Sequence, residues 1–262
     1  MTRICIFHPN LGIGGAERLI IEIALSLKRQ KHSITIFTNY HDKAHCFSES
    51  KDKLNVNCVF SWIPDSIFGG FKVYLAAFKT LLLTLYFILF YINEFDFVIV
   101  DQISVVSVPL LRTLNKTVVF YCHFPDQFLT ERKSLIKKIY RIPIDWFEIF
   151  CIGLANKILV NSKFTLKVLT SFEKINDKYK RHENWIKIIY PCVRMNIPQN
   201  HCDISPYVPD ETKYLFVSIN RFNPMKLIQR ILIGMQQLNA DIDDEIWNQT
   251  HCVIMGGCDP VS

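Results

Sequence analysis

Four short apolar runs in this 262-residue chain each end in side chains able to donate, accept or titrate. ICIF (4–7) leads into His8 and the loop LGIGG (11–15), and FVIV (97–100) into Asp101 and Gln102. TVVFYC (117–122) leads into His123, and ILV (158–160) into Asn161 and Ser162. Glycines at 12, 14 and 15 let backbone N–H groups approach an anion, most often a phosphate. The helical repeat that follows, Leu19, Ile20, Ile23, Ala24 and Leu27, adds a helix dipole that favours negative charge at Gly14 and Gly15. The same loop also suits a tight turn that needs positive φ. A histidine at such a rim can meet a sugar, carry charge or move a proton. Each residue alone is equally an ordinary strand end or helix cap. Together they describe a crevice.

Such a crevice needs a sheet whose carboxyl ends share one edge. Strands read at 3–7, 32–39, 95–102, 116–122, 157–160 and 186–190, with a short edge strand within 41–64. Helices read between them, one of them over 134–157 and interrupted at Pro143. Alternating strands and helices imply a doubly wound parallel sheet with right-handed crossovers, and such sheets take ligands beyond the carboxyl ends of their strands. After residue 195 the chain turns polar and proline-bearing, and 196–212 reads as a linker. From 213 a second α/β unit starts: KYLFVSINRF, then a helix, then HCVIMGG. Two strands and one helix up to Ser262 are too few to close a sheet.

Composition narrows the partners. Half the residues are hydrophobic, 20 of them phenylalanine, so the chain is set to fold. A net charge of +6 suits a membrane surface or a phosphorylated ligand and makes no demand for nucleic acid. The basic runs at 131–141 and 178–187 read as solvated helix faces. Nine cysteines without a C-x-x-C pair argue against a disulfide framework or zinc site and for reduced thiols facing the cytosol. The start enters a strand at once, without a cleavable signal. Residues 71–92 form a very apolar helix, but Lys79 is costly inside a bilayer, so it reads as packing on the sheet and dipping into a membrane interface.

A dinucleotide site is a poor match. The loop lacks the third glycine of G-x-G-x-x-G, and the second strand ends at Thr38 and Asn39 without an acidic residue for a ribose. HPNLGIGGAERL, VDQIS, YCHFPDQFLTERKS, YRIPIDWFE, ILVNSKFT, IYPCV and SINRFN instead resemble the eukaryotic α-1,3/1,6-mannosyltransferases of the dolichol-linked oligosaccharide pathway. These are similar to the wider retaining GT-B glycosyltransferases, which share the glycine loop. The resemblance runs from Ile4 to about Pro260.

The resemblance implies a GT-B α/β fold with an acceptor-side Rossmann-like domain over 1–195 and an incomplete donor-binding domain over 213–262. It implies transfer of mannose from GDP-mannose, first α-1,3 then α-1,6, onto a dolichyl-diphosphate oligosaccharide at the cytosolic face of the endoplasmic reticulum membrane. It implies no cofactor and no bound metal, and other mannosyltransferases of the pathway as partners. His123 matches the histidine that contacts the donor sugar or steadies the transition state. Arg221 and Lys226 match the pair that clamps the donor's phosphates, while Gly14 and Gly15 face a diphosphate or the moving sugar. Asp101 and Asn161, on the same rim, are substrate-binding candidates.

Two departures stand out. Leu227 occupies the position where the family carries Asn or Gly, and Pro224 sits in the same turn. No Glu-x7-Glu motif follows Asp259, so the chain reads as a fragment lacking most of the donor site. The alternative is a non-catalytic, membrane-associated module that binds a polyprenyl diphosphate or a partner glycosyltransferase.

Overall fold

The apolar runs form strands covered on both faces, the usual setting for parallel pairing through crossover helices. The computed structural model describes residues 1–66, 72–129, 135–182, 184–192, 203, 205–220, 222 and 226–257. In chain order the elements are β1 (Arg3–Phe7), α1 (Gly15–Arg29), β2 (Ser33–Thr38), α2 (Ser48–Asp52), β3 (Asn55–Cys58), α3 (Lys72–Phe90) and β4 (Phe97–Asp101). There follow α4 (Ser107–Thr113), β5 (Thr117–Cys122), α5 (Asp126–Leu129), α6 (Leu135–Leu154), β6 (Lys157–Val160), α7 (Lys163–Thr170), α8 (Glu173–Arg181) and β7 (Ile186–Ile188). The last four are β8 (Tyr214–Ile219), α9 (Gln229–Asp241), α10 (Asp244–Trp247) and β9 (Thr250–Met255). Arg221, residues 131–134 of the basic run and the start of the expected linker lie outside the described residues.

The chain divides into two compact units, Met1–Val193 and Arg194–Ser262. In the first, seven parallel strands lie in the order β3-β2-β1-β4-β5-β6-β7. Alternate side chains feed two cores. Ile4, Ile6 and Ile36 pack with Ile20 and Ile21 of α1 on one face. Cys5, Phe7, Phe37, Val98 and Phe120 pack on the other with Leu83 and Phe87 of α3. The Phe87 ring meets Phe7 edge-on at 5.1 Å and Phe37 at 5.5 Å, the T-shaped arrangement aromatic quadrupoles favour.

α3 has two kinds of face. Inward, Lys79 is buried with its ammonium 2.6 Å from Asp65, and the Thr84 hydroxyl shares a 2.8 Å hydrogen bond with Ser107. Outward, Tyr74, Phe78, Leu85, Leu89 and Phe90 are exposed. The stretch Val73–Phe90 is long and apolar enough to cross a membrane by length and composition, yet only 28% of it is buried.

α6 corrects two expectations. It runs unbroken through Pro143, although a mid-helix proline removes a hydrogen bond and costs about 3 kcal/mol. The reason is its buried face: Arg141, Asp145, Glu148 and Ile152, spaced 4, 3 and 4 residues apart, all pack inward while Pro143 stays exposed. Arg141 is therefore no part of a solvated face. It is 1% exposed, with its guanidinium 2.8 Å from Asp126 and 3.0 Å from Asp145.

The second unit holds the parallel pair β8-β9 with α9 and α10. Phe216, Val217 and Ile219 of β8 stay exposed, and none of the unit's described residues is buried, as two strands without a second layer allow.

Glu148 accepts hydrogen bonds from the N–H groups of Asp126 (2.8 Å) and Gln127 (3.3 Å). Burial nevertheless pushes its carboxyl up to about 7 from an ordinary 4.5, and the Asp126 charge adds to the rise. The folded protein thus holds this proton more tightly than the unfolded chain does, so stability falls as pH rises from about 4.5 to about 7. Glu148→Gln is expected to flatten that slope in urea unfolding measured across the interval. A slope unchanged from the parent would assign it to another group.

Candidate active site

The order of the sheet reverses between β1 and β4, the place where parallel sheets open a crevice at their carboxyl edge. Phe7 pairs with Val100, so the next residues on the two strands, His8 and Asp101, emerge side by side. Asp101 also pairs with Tyr121 of β5, which brings His123 to the same edge two residues later. Registry alone assembles the cluster.

His8 Nδ1 lies 2.7 Å from Asp101 Oδ2, and both side chains are wholly buried. The other oxygen, Oδ1, is 2.9 Å from His123 Nε2. That second contact is short but off the line of a good hydrogen bond, so it acts as an ion-pair contact. Burial alone would push the Asp101 carboxyl up; His123 and His8 together outweigh it and hold the carboxyl below its ordinary range. An ionised carboxylate only accepts, so His8 presents Nδ1–H to it, while His123 turns its Nε2 edge toward the other oxygen. His123 keeps Nδ1 for a ligand, and its side chain is 24% exposed. His8 keeps Nε2, buried and 4.0 Å from Glu17 in the first turn of α1.

Other groups fix His123 from behind. The Tyr121 ring lies 4.9 Å from the imidazole, and its hydroxyl donates to the Ile189 carbonyl at 2.8 Å. Thr165 Oγ1 reaches the His123 carbonyl at 3.3 Å and the Asn161 Oδ1 at 2.6 Å. Gln102, directly after Asp101, has φ 63°, and Ile103 N–H closes a three-residue turn onto the Asp101 carbonyl at 2.8 Å. This is a strained backbone position at the edge of the site, costing on the order of 1 to 3 kcal/mol.

The glycine loop is not strained. Gly14 is extended, at φ −174° and ψ 177°, and as the N-cap of α1 it offers the first N–H groups of the helix no side-chain acceptor. A Cβ built at Gly15 would meet nothing within 4 Å. Gly15 therefore keeps open space at the helix start, whereas a Cβ at Gly12 would meet Asn10 Oδ1 at 3.3 Å, and the reading of a turn at positive φ falls.

Asp101 and Asn161 take different places from those expected of substrate ligands. Asp101 has no exposed surface and orients two imidazoles. Asn161 Oδ1 accepts from both Ser162 and Thr165, within the cap of α7. Lys226 is exposed in the second unit, and Arg221 lies outside the described residues. Leu227, next to Lys226, adopts φ 49°, the left-handed region that Asn and Gly enter readily. His8 and Glu17 complete the cluster, and the signal for His8 was its place at the end of the first strand. Among the described residues no three His, Cys, Asp or Glu side chains are grouped to hold a metal ion.

A family model, Glycosyltransferase Family 4, matches residues 13–193. The chain belongs to this family. Within it, the chain is similar to "Alpha-1,3/1,6-mannosyltransferase ALG2" of Homo sapiens, 36% identical over 265 residues, covering 98% of this chain and 61% of that protein. Its counterpart in Saccharomyces cerevisiae is 37% identical over 262 residues, covering 98% and 50%, and that in Dictyostelium discoideum 41% over 239 residues, covering 85% and 55%. The chain thus spans about half to three fifths of the length of these family members. Among solved structures, UGT2 of Phytolacca americana complexed with UDP-2fluoro-glucose and pterostilbene aligns with a TM-score of 0.54 at 13% identity, covering 98% of this chain and 72% of that one. LpCGTa in complex with UDP aligns at 0.59 and 11% identity, covering 98% and 71%. At that identity the likeness is one of fold, the GT-B glycosyltransferase architecture.

A carboxyl whose folded-state pKa is depressed adds stability above the unfolded value of about 4, and that stability is lost as pH falls through the folded value. Asp101→Asn is expected to cost about 2 to 3 kcal/mol at pH 7, with the gap to the parent chain closing below about pH 4 in urea titrations. A gap of equal size at both pH values would remove the carboxylate charge from its role. Gly15→Val is expected to leave the melting temperature unchanged while weakening binding of inorganic diphosphate in calorimetry. Equal affinity would take the loop out of the site.

Proposed function

We propose that this chain is the acceptor-side part of a mannosyltransferase. It moves mannose from GDP-mannose, in α-1,3 then α-1,6 linkage, to a lipid-diphosphate-linked oligosaccharide at the cytosolic face of the endoplasmic reticulum membrane. The observation that carries this reading is the His8–Asp101–His123 cluster at the switch point of the sheet, with His8 Nε2 4.0 Å from Glu17 in the first turn of α1. Membership in the glycosyltransferase family and similarity to proteins named as mannosyltransferases support the choice of sugar.

The chemistry asks for little beyond electrostatics and placement. Breaking the bond between the sugar and its diphosphate builds negative charge on the leaving oxygens. The N–H groups at Gly14 and Gly15 suit that charge, since Gly14 brings no side-chain cap and they stand at the positive end of α1. His123 Nδ1 is the atom placed to meet the sugar, either as a hydrogen-bond partner or as a positive charge beside the transition state. Asp101 is a positioning residue: its Oδ1 holds the Nε2 edge of His123 at 2.9 Å. Arg221 and Lys226 are assigned to the donor phosphates by their match to the family, with no metal required. The outward aromatic and aliphatic face of α3 supports attachment at a membrane interface.

The test is a graft of this chain in place of the matching half of the Saccharomyces cerevisiae protein. The graft is expected to transfer radiolabelled mannose from GDP-mannose to the lipid-linked acceptor. His123→Ala in it should lower kcat/KM by about 100-fold or more, with a lowered melting temperature but a folded circular dichroism spectrum at the assay temperature. A folded but inactive graft would sink the reading, and an active His123→Ala graft would remove this imidazole from the chemistry.

A further inference from the structure

α3, the loop after β4 and α6 enclose a cavity of about 440 Å3. Its walls are apolar, formed chiefly by Ala76 and Ala77 of α3, Ile103 and Val105 of the loop, and Ile144 and Phe147 of α6. The two consecutive alanines sit in a helix otherwise rich in Leu, Phe and Tyr, and they open the space. One side of the cavity is Gln102, the residue after Asp101, so the space adjoins the histidine cluster. Another side is the face of Val73–Phe90, which is apolar enough for hydrocarbon and mostly uncovered.

The charges around it select the occupant. Among the described lining residues there is no Lys or Arg, and both carboxylates on the rim are committed. Asp126 pairs with Arg141, and Glu148 accepts from two backbone N–H groups. Among the described lining residues a diphosphate meets no cation here. An oligosaccharide would find few partners on such walls. A hydrocarbon chain fits both the walls and the missing cations.

We infer that this cavity binds the hydrocarbon chain of the lipid-linked acceptor, in the part nearest its diphosphate. The inference rests on the function proposed above and adds where the lipid sits. A single chain seated there runs from the uncovered face of α3 toward Gln102, so that the attached diphosphate and sugars emerge at the rim that holds His123.

The test uses the 262-residue chain and a geranylgeranyl diphosphate probe carrying a diazirine on its hydrocarbon. Cross-links are expected on peptides of α3 and α6. Unlabelled geranylgeranyl diphosphate should displace the probe, while inorganic diphosphate and lysophosphatidylcholine should not. Ala77→Phe, which fills the space, is expected to cut labelling at least tenfold with an unchanged melt. Undiminished labelling in a folded Ala77→Phe chain would overturn the proposal, as would displacement by lysophosphatidylcholine, cross-links elsewhere, or none. If Ala77→Phe fails to fold, the map of cross-links on the parent chain decides by itself. Because no transfer is measured, the outcome is separate from the graft assay. Labelling of α3 and α6 with an inactive graft would sink the function alone, and an active graft without that labelling would sink this site alone.

Discussion

One carboxylate shared by two imidazoles governs the arrangement of this molecule. Asp101 is fully buried and charged, a condition that costs several kcal/mol per ion unless the charge is matched. The match comes from β1 on one side and from the end of β5 on the other, so three strands must be in register for the charge to be tolerated. A one-residue slip of β4 would turn Asp101 to the opposite face and leave both histidines without it. The cluster is thus as much a lock on the sheet as a piece of chemistry. The strained turn at Gln102 belongs to the same economy, since the backbone must reverse at once to clear the rim.

α3 and α6 meet a second constraint, that of serving two environments. Each buries polar groups inward and shows apolar surface outward. In α3 the inward set is Lys79, Thr80 and Thr84; in α6 it is Arg141, Asp145 and Glu148. Paired polar groups fix how each helix seats, and a bare hydrophobic face could not specify this, because hydrophobic contact has no direction. The outward surfaces are apolar and exposed, with Phe78 on one helix and Trp146 and Phe147 on the other. The cavity between the helices is bordered by Gln102, the residue after Asp101.

Two departures from expectation have the same cause. Proline was read as a break at 143, yet α6 continues because its buried face spans both sides of that residue. Of the two readings that the glycine loop allows, anion cradle or turn at positive φ, the second fails: Gly14 is extended, and the left-handed residues include Gln102 and Leu227. Local propensity sets a cost of about a few kcal/mol at most, and tertiary packing overrode it at each of these places.

Sequence by itself determined the strands, the parallel α/β class and the rim. Apolar runs closed by His8, Asp101, His123 and Asn161 are a local pattern, and local patterns survive in one dimension. It also carried the family, through motifs such as HPNLGIGG and YCHFPD. What only tertiary structure decided was which of those residues touch. Registry between strands separated by 93 residues brings His8 to Asp101, the capping of α7 occupies Asn161 Oδ1, and burial of one helix face draws Arg141 inward. Partnership of this kind depends on distances across the sheet, and no spacing along the chain encodes them.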